Sequence, residues 1–100
     1  MGEHQKLVGP VLGNRELAEA VIAAAELDNP GVELFVEDRG GYIRIHAPMR
    51  FRLTQRSLSE VLGAPIRLPE IEPHLVSFAG RMKYLGDEEL VFYLEREEGR

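Results

Sequence analysis

The hydrophobic period of the chain changes at Pro30 and Gly31, and this change constrains the fold more than any other feature of the sequence. Before it, the segment from Arg15 to about Asp28 is rich in Ala, Leu and Glu, which favour helices, and its apolar residues recur at helical spacing. After it, apolar and polar residues alternate in short runs separated by Gly and Pro, as in strands joined by turns. A helix followed by antiparallel strands indicates an α+β domain.

Short alternating runs predict strands on both sides of this helix. Leu7 to Leu12 is expected to form an edge strand or an extended arm, because Pro10 has no amide to donate to a neighbouring strand. Asn14 is a good N-cap for the helix that follows. After the helix, three runs are expected to form a meander with a turn at residues 38–41, and its inward-pointing residues would be Leu34, Val36, Ile43, Ile45, Phe51 and Leu53.

A second helix is predicted after the meander. Thr54 can cap its start and Gly63 can end it. The apolar stripe of this helix would contain Leu58, Val61 and Leu62. The segment 64–73 holds three prolines, and because proline disrupts helix interiors we expect at most one helical turn there.

Two strand-like runs complete the chain, from Ser77 to Leu85 and from Glu89 to Leu94. The predicted order is strand, helix, three strands, short helices and two strands. This is an α+β fold of mainly antiparallel hairpins packed against two or three helices. We expect one domain over residues 1–100, with mobile tails at 1–6 and 95–100.

Composition narrows the classes of function. The net charge of -5, from 17 acidic and 12 basic residues, opposes binding to a phosphate backbone. Arg50, Arg52 and Arg56 are the nearest approach to a basic patch, and we interpret them as a solvated strand edge and helix start. The absence of cysteine excludes a disulfide framework, a thiolate metal site and a cysteine nucleophile. With no signal peptide and no long apolar run, the chain is expected in the cytoplasm, away from membranes.

The residue types that carry catalysis lack suitable neighbours in the sequence. His4, His46 and His74 lie far apart, and none has a second ligand at the spacing of a metal site. We interpret His46 as a surface histidine on a strand. Neighbouring carboxylates such as Glu37 and Asp38 flank turns, where solvation keeps them ordinary. The sequence contains neither the G-x-S-x-G motif nor a phosphate-binding glycine pattern, so its residues favour a non-enzymatic domain.

Several apolar residues stand in irregular or outward places. Leu75, Val76 and Phe78 lie where a proline-framed loop enters a strand. They either fill the core or form a small apolar protrusion that docks on a partner. Phe35 and Tyr42 lie on the outward face of the predicted hairpin, either as a cross-strand pair or as part of an interface.

Four blocks of sequence resemble the cofactor-free effector, or coupling, proteins of bacterial multicomponent diiron monooxygenases. The resemblance runs from about Leu7 to Leu94 and is closest to the toluene and alkene monooxygenase branch. The blocks occur in the family's order, and they are Val8 to Pro10, Ala25 to Gly31, Val36 to Arg39 with Tyr42 to Ile45, and Ile71 to Gly80.

Similarity to this family implies a regulatory protein that holds no metal or organic cofactor and is not itself an enzyme. It would bind the diiron hydroxylase component, one effector per protomer, and alternate there with a Rieske-type ferredoxin or a reductase. Docking would change active-site conformation and substrate access, and would couple NADH and oxygen use to hydrocarbon oxidation. The residues that the resemblance assigns to docking are His74, Leu75, Val76, Ser77, Phe78, Asn29, Arg39 and Tyr42.

Two other classes of function remain open on the residues alone. A stand-alone ligand-binding regulatory module would need a buried pocket with converging polar groups. A small enzyme would use Glu37, Asp38 or His74, and one of these would need a strongly shifted pKa. The sequence does not separate aromatic, alkene, isoprene and alkane substrates of a hydroxylase partner, and we take a monomer as the default state of the free chain.

Overall fold

Two antiparallel sheets and three helical segments make up residues 6–94, the part of the chain that the computed structural model describes. The α+β class agrees with the sequence prediction, and so does the order of elements except that three strands, not two, follow the short helices. The elements are β1 (Leu7–Leu12), α1 (Arg15–Asp28), β2 (Phe35–Asp38), β3 (Ile43–Pro48), β4 (Arg50–Thr54), α2 (Gln55–Leu62), a 3₁₀ helix (Leu68–His74), β5 (Leu75–Ala79), β6 (Arg81–Leu85) and β7 (Glu89–Tyr93).

The first sheet has the strand order β2-β3-β1-β5, so β1 is an inner strand. The expectation of an edge strand or arm was therefore wrong. Pro10 is accommodated because the pairs between β1 and β3 involve the residues on either side of Gly9 and Pro10. At Gly9 the two backbones approach closely, and a Cβ there would lie 2.1 Å from the carbonyl oxygen of Ile45. Only glycine fits such an approach.

The second sheet has the strand order β4-β7-β6. The predicted meander of three strands was therefore wrong in its third strand, because β4 belongs to this sheet and not to the sheet of β2 and β3. Strand β4 pairs with β7, not with β3. The chain leaves the first sheet at Met49, whose φ of 68° is left-handed, and the Met49 amide donates to the carbonyl of Lys6 at 2.9 Å. Lys6 is therefore attached to the fold rather than part of a mobile tail. The other expected tail residues, 1–5 and 95–100, lie outside the described part of the chain.

Gly80 divides the long strand expected from Ser77 to Leu85 into two strands in different sheets. Its φ is 88°, and a Cβ at this position would lie 2.6 Å from Val8 Cγ1 and 2.7 Å from the carbonyl oxygen of Tyr93. The residue at the corner between β5 and β6, where the chain passes from one sheet to the other, must therefore be glycine.

The core lies between the two sheets and the helices. The inward face of α1 is buried as its spacing predicts, and the Phe51 and Phe92 rings meet edge to face with centroids 5.7 Å apart. The 3₁₀ helix is longer than the single turn expected, because Leu68 and Ile71 are fully buried and anchor it. The fully or nearly fully buried side chains include Val8, Leu12, Val21, Ile45, Leu53, Leu58, Leu90 and Val91.

Burial differs from the sequence prediction on β2 and α2. All four residues of β2 are exposed, including Val36, because β2 is an edge strand. Phe35 lies opposite His46, and Tyr42 precedes β3, so these two aromatic residues do not form a cross-strand pair. On α2 only Leu58 of the predicted stripe is buried, and Val61 and Leu62 remain exposed.

Candidate functional site

The segment His74 to Phe78, which the resemblance assigns to docking, lies at one edge of the first sheet. It includes the end of the 3₁₀ helix and most of β5, which pairs with β1 on one side only. Leu75 is half-buried, whereas His74, Val76, Ser77 and Phe78 are exposed. Val76 is 60% exposed, a high value for an apolar residue in a strand.

A β-bulge sets the direction of Val76. Val11 pairs with Ser77 and Leu12 pairs with Leu75, so Val76 is the extra residue on β5. A bulge bends its strand and re-aims a side chain. The segment is also fixed from behind, because the Gly13 amide donates to the His74 carbonyl at 2.8 Å and a Cβ at Gly13 would lie 3.1 Å from Val76 Cγ2. The exposed valine is therefore held in place by backbone contacts.

Phe78 contacts the core and the surface at the same time. Its ring centroid is 5.7 Å from that of Phe92, with the planes at 54°, yet 42% of the residue is exposed. The sequence left open whether Phe78 fills the core or protrudes, and the structure places it at the boundary between the two. Together with Val76 it forms an apolar edge, which is typical of a protein–protein contact when rigidly held.

Arg39 and Tyr42 lie in the turn between β2 and β3, at the same end of the first sheet as His74. The Arg39 amide donates to the Tyr42 carbonyl at 2.9 Å and closes this turn. Gly13 lies between the two segments, since a Cβ there would be 3.8 Å from the His74 carbonyl oxygen and 4.0 Å from that of Gly41. The structure thus brings seven of the eight sequence-predicted docking residues to β5 and the adjacent end of this sheet.

An ion pair attaches the turn to the start of α1. The Arg15 guanidinium donates to both carboxylate oxygens of Asp38, at 2.7 and 3.0 Å, and the Gly40 amide donates to Asp38 Oδ1 at 2.9 Å. The Arg15 hydrogen bond, followed by that of Gly40, lowers the pKa of Asp38 from its usual 3.8 to about 2. A carboxylate held ionised in this way is a poor general base near neutral pH, which argues against Asp38 as a catalytic residue.

Asn29 is the predicted docking residue that the structure removes from the surface. It is 8% exposed, and its amide nitrogen donates to the carbonyls of Ala25 and Arg52, each at 2.8 Å. Its oxygen accepts from the Arg52 amide at 3.0 Å. Asn29 therefore caps α1 and attaches it to β4, and we correct its assignment from docking to support of the fold.

His46 also differs from the sequence prediction of a surface histidine. It is half-buried, and its Nε2 atom is buried without a hydrogen-bond partner among residues 6–94. Burial is the first cause of a lowered pKa for His46, and the charge of Arg44 adds to it, opposed by Glu37 and by a hydrogen bond with the Gly9 backbone.

An open groove on the described surface lies between the start of α1, the end of α2 and the 3₁₀ helix. It has a volume of about 600 Å³ and is open to solvent rather than enclosed. His74 is one of the residues that line it, so the groove adjoins the segment His74 to Phe78. Sequence reasoning missed this groove because it expected Val61 and Leu62, which line it, to be covered by the chain itself.

Among residues 6–94, no group of three or more His, Cys, Asp and Glu residues is arranged to hold a metal ion. No helix in the same part of the chain is long and apolar enough to cross a bilayer. Some exposed carboxylates form surface ion pairs, such as Glu37 with Arg39 at 2.7 Å.

Comparison with known families identifies the family to which this chain belongs. Residues 6–93 match the MmoB/DmpM family, and the chain therefore belongs to that family. This confirms the resemblance found in the sequence.

Individual relatives agree with this assignment. The chain is 45% identical over 89 residues to the effector subunit of an alkene monooxygenase system from Xanthobacter autotrophicus, covering 89% of this chain and 87% of that protein. Its fold is similar to a chain of the phenol hydroxylase–regulatory protein complex, with a TM-score of 0.71, 24% identity, and coverage of 89% and 99% of the two chains. It is also similar to soluble methane monooxygenase regulatory protein B, with a TM-score of 0.64, 26% identity, and coverage of 95% and 70%. The family to which the chain belongs is one of regulatory proteins, not of catalytic subunits.

Proposed function

We propose that this chain is the effector of a multicomponent monooxygenase and that it docks on the diiron hydroxylase through β5 and the adjacent end of the first sheet. The observation that carries the proposal is the apolar edge formed by Val76 and Phe78, exposed on a bulged strand that backbone contacts hold in place. The family assignment and the alkene monooxygenase effector relative support a hydroxylase as the partner. The iron centre and the oxidation belong to the hydroxylase.

The expected action is a shift of the hydroxylase between conformations. An effector changes a partner only as far as it binds one conformation better than another, and a difference of about 1–3 kcal/mol changes an equilibrium roughly 5–150-fold. A few well-placed contacts from a rigid edge such as β5 are enough for this. The shift would alter active-site geometry and substrate access, and would couple NADH and oxygen use to oxidation of a hydrocarbon.

The surface also has to be released. A dissociation constant near the micromolar range, about -8 kcal/mol, would let the effector alternate with a Rieske-type ferredoxin or a reductase on the hydroxylase. One effector per hydroxylase protomer is the stoichiometry that we propose.

Reconstitution tests this function. The cognate hydroxylase, ferredoxin and reductase would be combined, and product formed per NADH consumed would be followed as the effector is titrated in. We expect both rate and coupling to rise and to saturate near one effector per active site. If the other components are competent and neither quantity changes, the proposed function is wrong.

A further inference from the structure

The open groove beside the docking segment has an apolar floor that the described residues, 6–94, leave uncovered. Val61 and Leu62, in the last turn of α2, are 38% and 41% exposed. Their spacing beside the buried Leu58 is that of an amphipathic helix face, and such a face is normally covered by the core. The apolar lining is completed by Leu17, Ala20 and Ile66.

The rim of the groove is acidic. The carboxylates that line it are Glu16 and Glu19 from α1 and Glu70 from the 3₁₀ helix, and no Lys or Arg among residues 6–94 lines it. Glu16 and Glu19 project from the first turns of α1, and Glu70 also accepts a hydrogen bond from the Arg67 amide at 3.1 Å. An apolar floor inside a rim of one charge sign is complementary to an amphipathic segment of the opposite sign.

The groove is continuous with the proposed docking surface, because His74 both lines the groove and begins the docking segment. A partner seated on β5 would therefore extend over α1 and α2. We infer that the groove receives a basic amphipathic segment of the hydroxylase, with apolar side chains on Val61 and Leu62 and Lys or Arg side chains against Glu16, Glu19 and Glu70. This inference rests on the proposed function and adds the chemistry of the partner segment.

The two parts of the groove would contribute differently to binding. Burial of the apolar floor gives affinity, and the acidic rim mainly accelerates association and makes it sensitive to salt. Raising the salt concentration should therefore weaken binding of the unmodified chain. It should weaken binding much less once the rim charges are reversed.

Binding of the effector to the cognate hydroxylase, measured by titration calorimetry, tests the inference. Leu62→Asp should raise the dissociation constant about tenfold or more, since it removes a buried leucine contact and adds a charge of the wrong sign. Glu16→Lys combined with Glu19→Lys should weaken binding and remove most of its salt dependence. The matched controls are Leu27→Asp and Glu26→Lys on α1, because Leu27 is 59% exposed and neither residue lines the groove.

The possible outcomes separate the inference from the proposed function. If the unmodified chain does not bind the hydroxylase, both are wrong. If it binds and the groove variants bind as well as the controls, the inference alone is overturned. Should Leu62→Asp fail to fold, as judged by circular dichroism, the double glutamate variant decides the matter, since both of its positions are exposed.

Cross-linking identifies the segment directly. The chain has no cysteine, so Leu62→Cys gives a single site for a thiol-attached photocrosslinker. With the hydroxylase present, we expect cross-links to a peptide in which Lys or Arg flanks apolar residues at helical spacing. Cross-links to an acidic peptide, or to a second copy of this chain, would overturn the inference.

Discussion

The Asp28 carboxylate accepts hydrogen bonds from both the amide and the hydroxyl of Thr54, at 2.7 and 3.0 Å. Thr54 in turn caps α2, and its hydroxyl accepts from the Ser57 amide at 3.2 Å. The Ser57 hydroxyl donates to Asp28 as well, at 2.7 Å. The last residue of α1 therefore fixes the first turn of α2, and this junction sets the spacing of the two helices that form the acidic groove.

Replacing Asp28 should destabilise the fold substantially. Asp28→Ala removes a nearly buried acceptor and leaves the donors of Thr54 and Ser57 unpaired, and we expect a loss of about 3 kcal/mol in the free energy of unfolding. Urea denaturation measures this loss. Glu26→Ala, at an exposed position on the same helix, is the control and should change stability little. Equal effects of the two changes would contradict the role given to Asp28.

Gly80 and Gly86 provide a second matched pair, since both have positive φ. Gly86→Ala should cost only the left-handed backbone penalty of about 1–2 kcal/mol, because nothing lies within 4 Å of the added Cβ. Gly80→Ala adds a clash with Val8 Cγ1 at 2.6 Å and should cost clearly more. Thermal melting of the two variants compares them, and similar melting temperatures would show that the corner at Gly80 tolerates a side chain.

The sequence predicts the features of this fold that depend on local interactions. Asn14 and Thr54 look like N-caps in the sequence, and both side chains accept the expected hydrogen bonds. The division of strands between two sheets was not predictable in this way. It depends on a left-handed residue at Met49, where the sequence carries no glycine, and on contacts of Gly80 with residues distant in the chain.

The resemblance indicated which residues form the docking segment, whereas only the structure gave the geometry of that segment. No pattern in the sequence indicates that Val76 is a bulge residue, because the register with β1 decides it. Asn29 was assigned to docking through the resemblance, and no local pattern indicates that its side chain bonds to the backbone of Arg52 far along the chain. Likewise, the periodicity of α2 identifies an apolar face at Val61 but not whether the same chain covers it.

His46 should make the stability of the protein depend on pH. Because its pKa is lowered below the usual 6.5, the unfolded chain binds a proton more readily than the folded chain. The contribution of neutral His46 to stability is then fully present above pH 6.5, and it falls as the solution is acidified below that value. His46→Gln should reduce the difference in urea stability between about pH 8 and about pH 5.5. An unchanged difference would show that other groups cause the pH dependence.

The pair of Asp38 and Arg15 should act in a more acidic range. The pKa of Asp38 falls from its usual 3.8 to about 2. The stabilising contribution of the pair is therefore fully present above pH 3.8, and it is lost as the pH falls through about 2. The carboxyl carbon shift of Asp38, followed by NMR, should report the low midpoint. In Arg15→Gln the midpoint should rise toward 3.8, and a midpoint unaffected by this change would exclude the ion pair as its cause.

Two exposed valines on opposite edges of the first sheet separate docking from folding. Val76 on β5 is 60% exposed and Val36 on β2 is 47% exposed, so a charge at either position should be tolerated by the fold. Val76→Asp places the charge in the proposed contact and should weaken hydroxylase binding about tenfold or more, whereas Val36→Asp should leave binding nearly unchanged. Both variants would be checked for folding by melting temperature and then assayed for product per NADH. The two substitutions are the same and differ only in the edge of the sheet on which they lie. Equal product per NADH from the two folded variants would therefore show that β5 is not the docking surface.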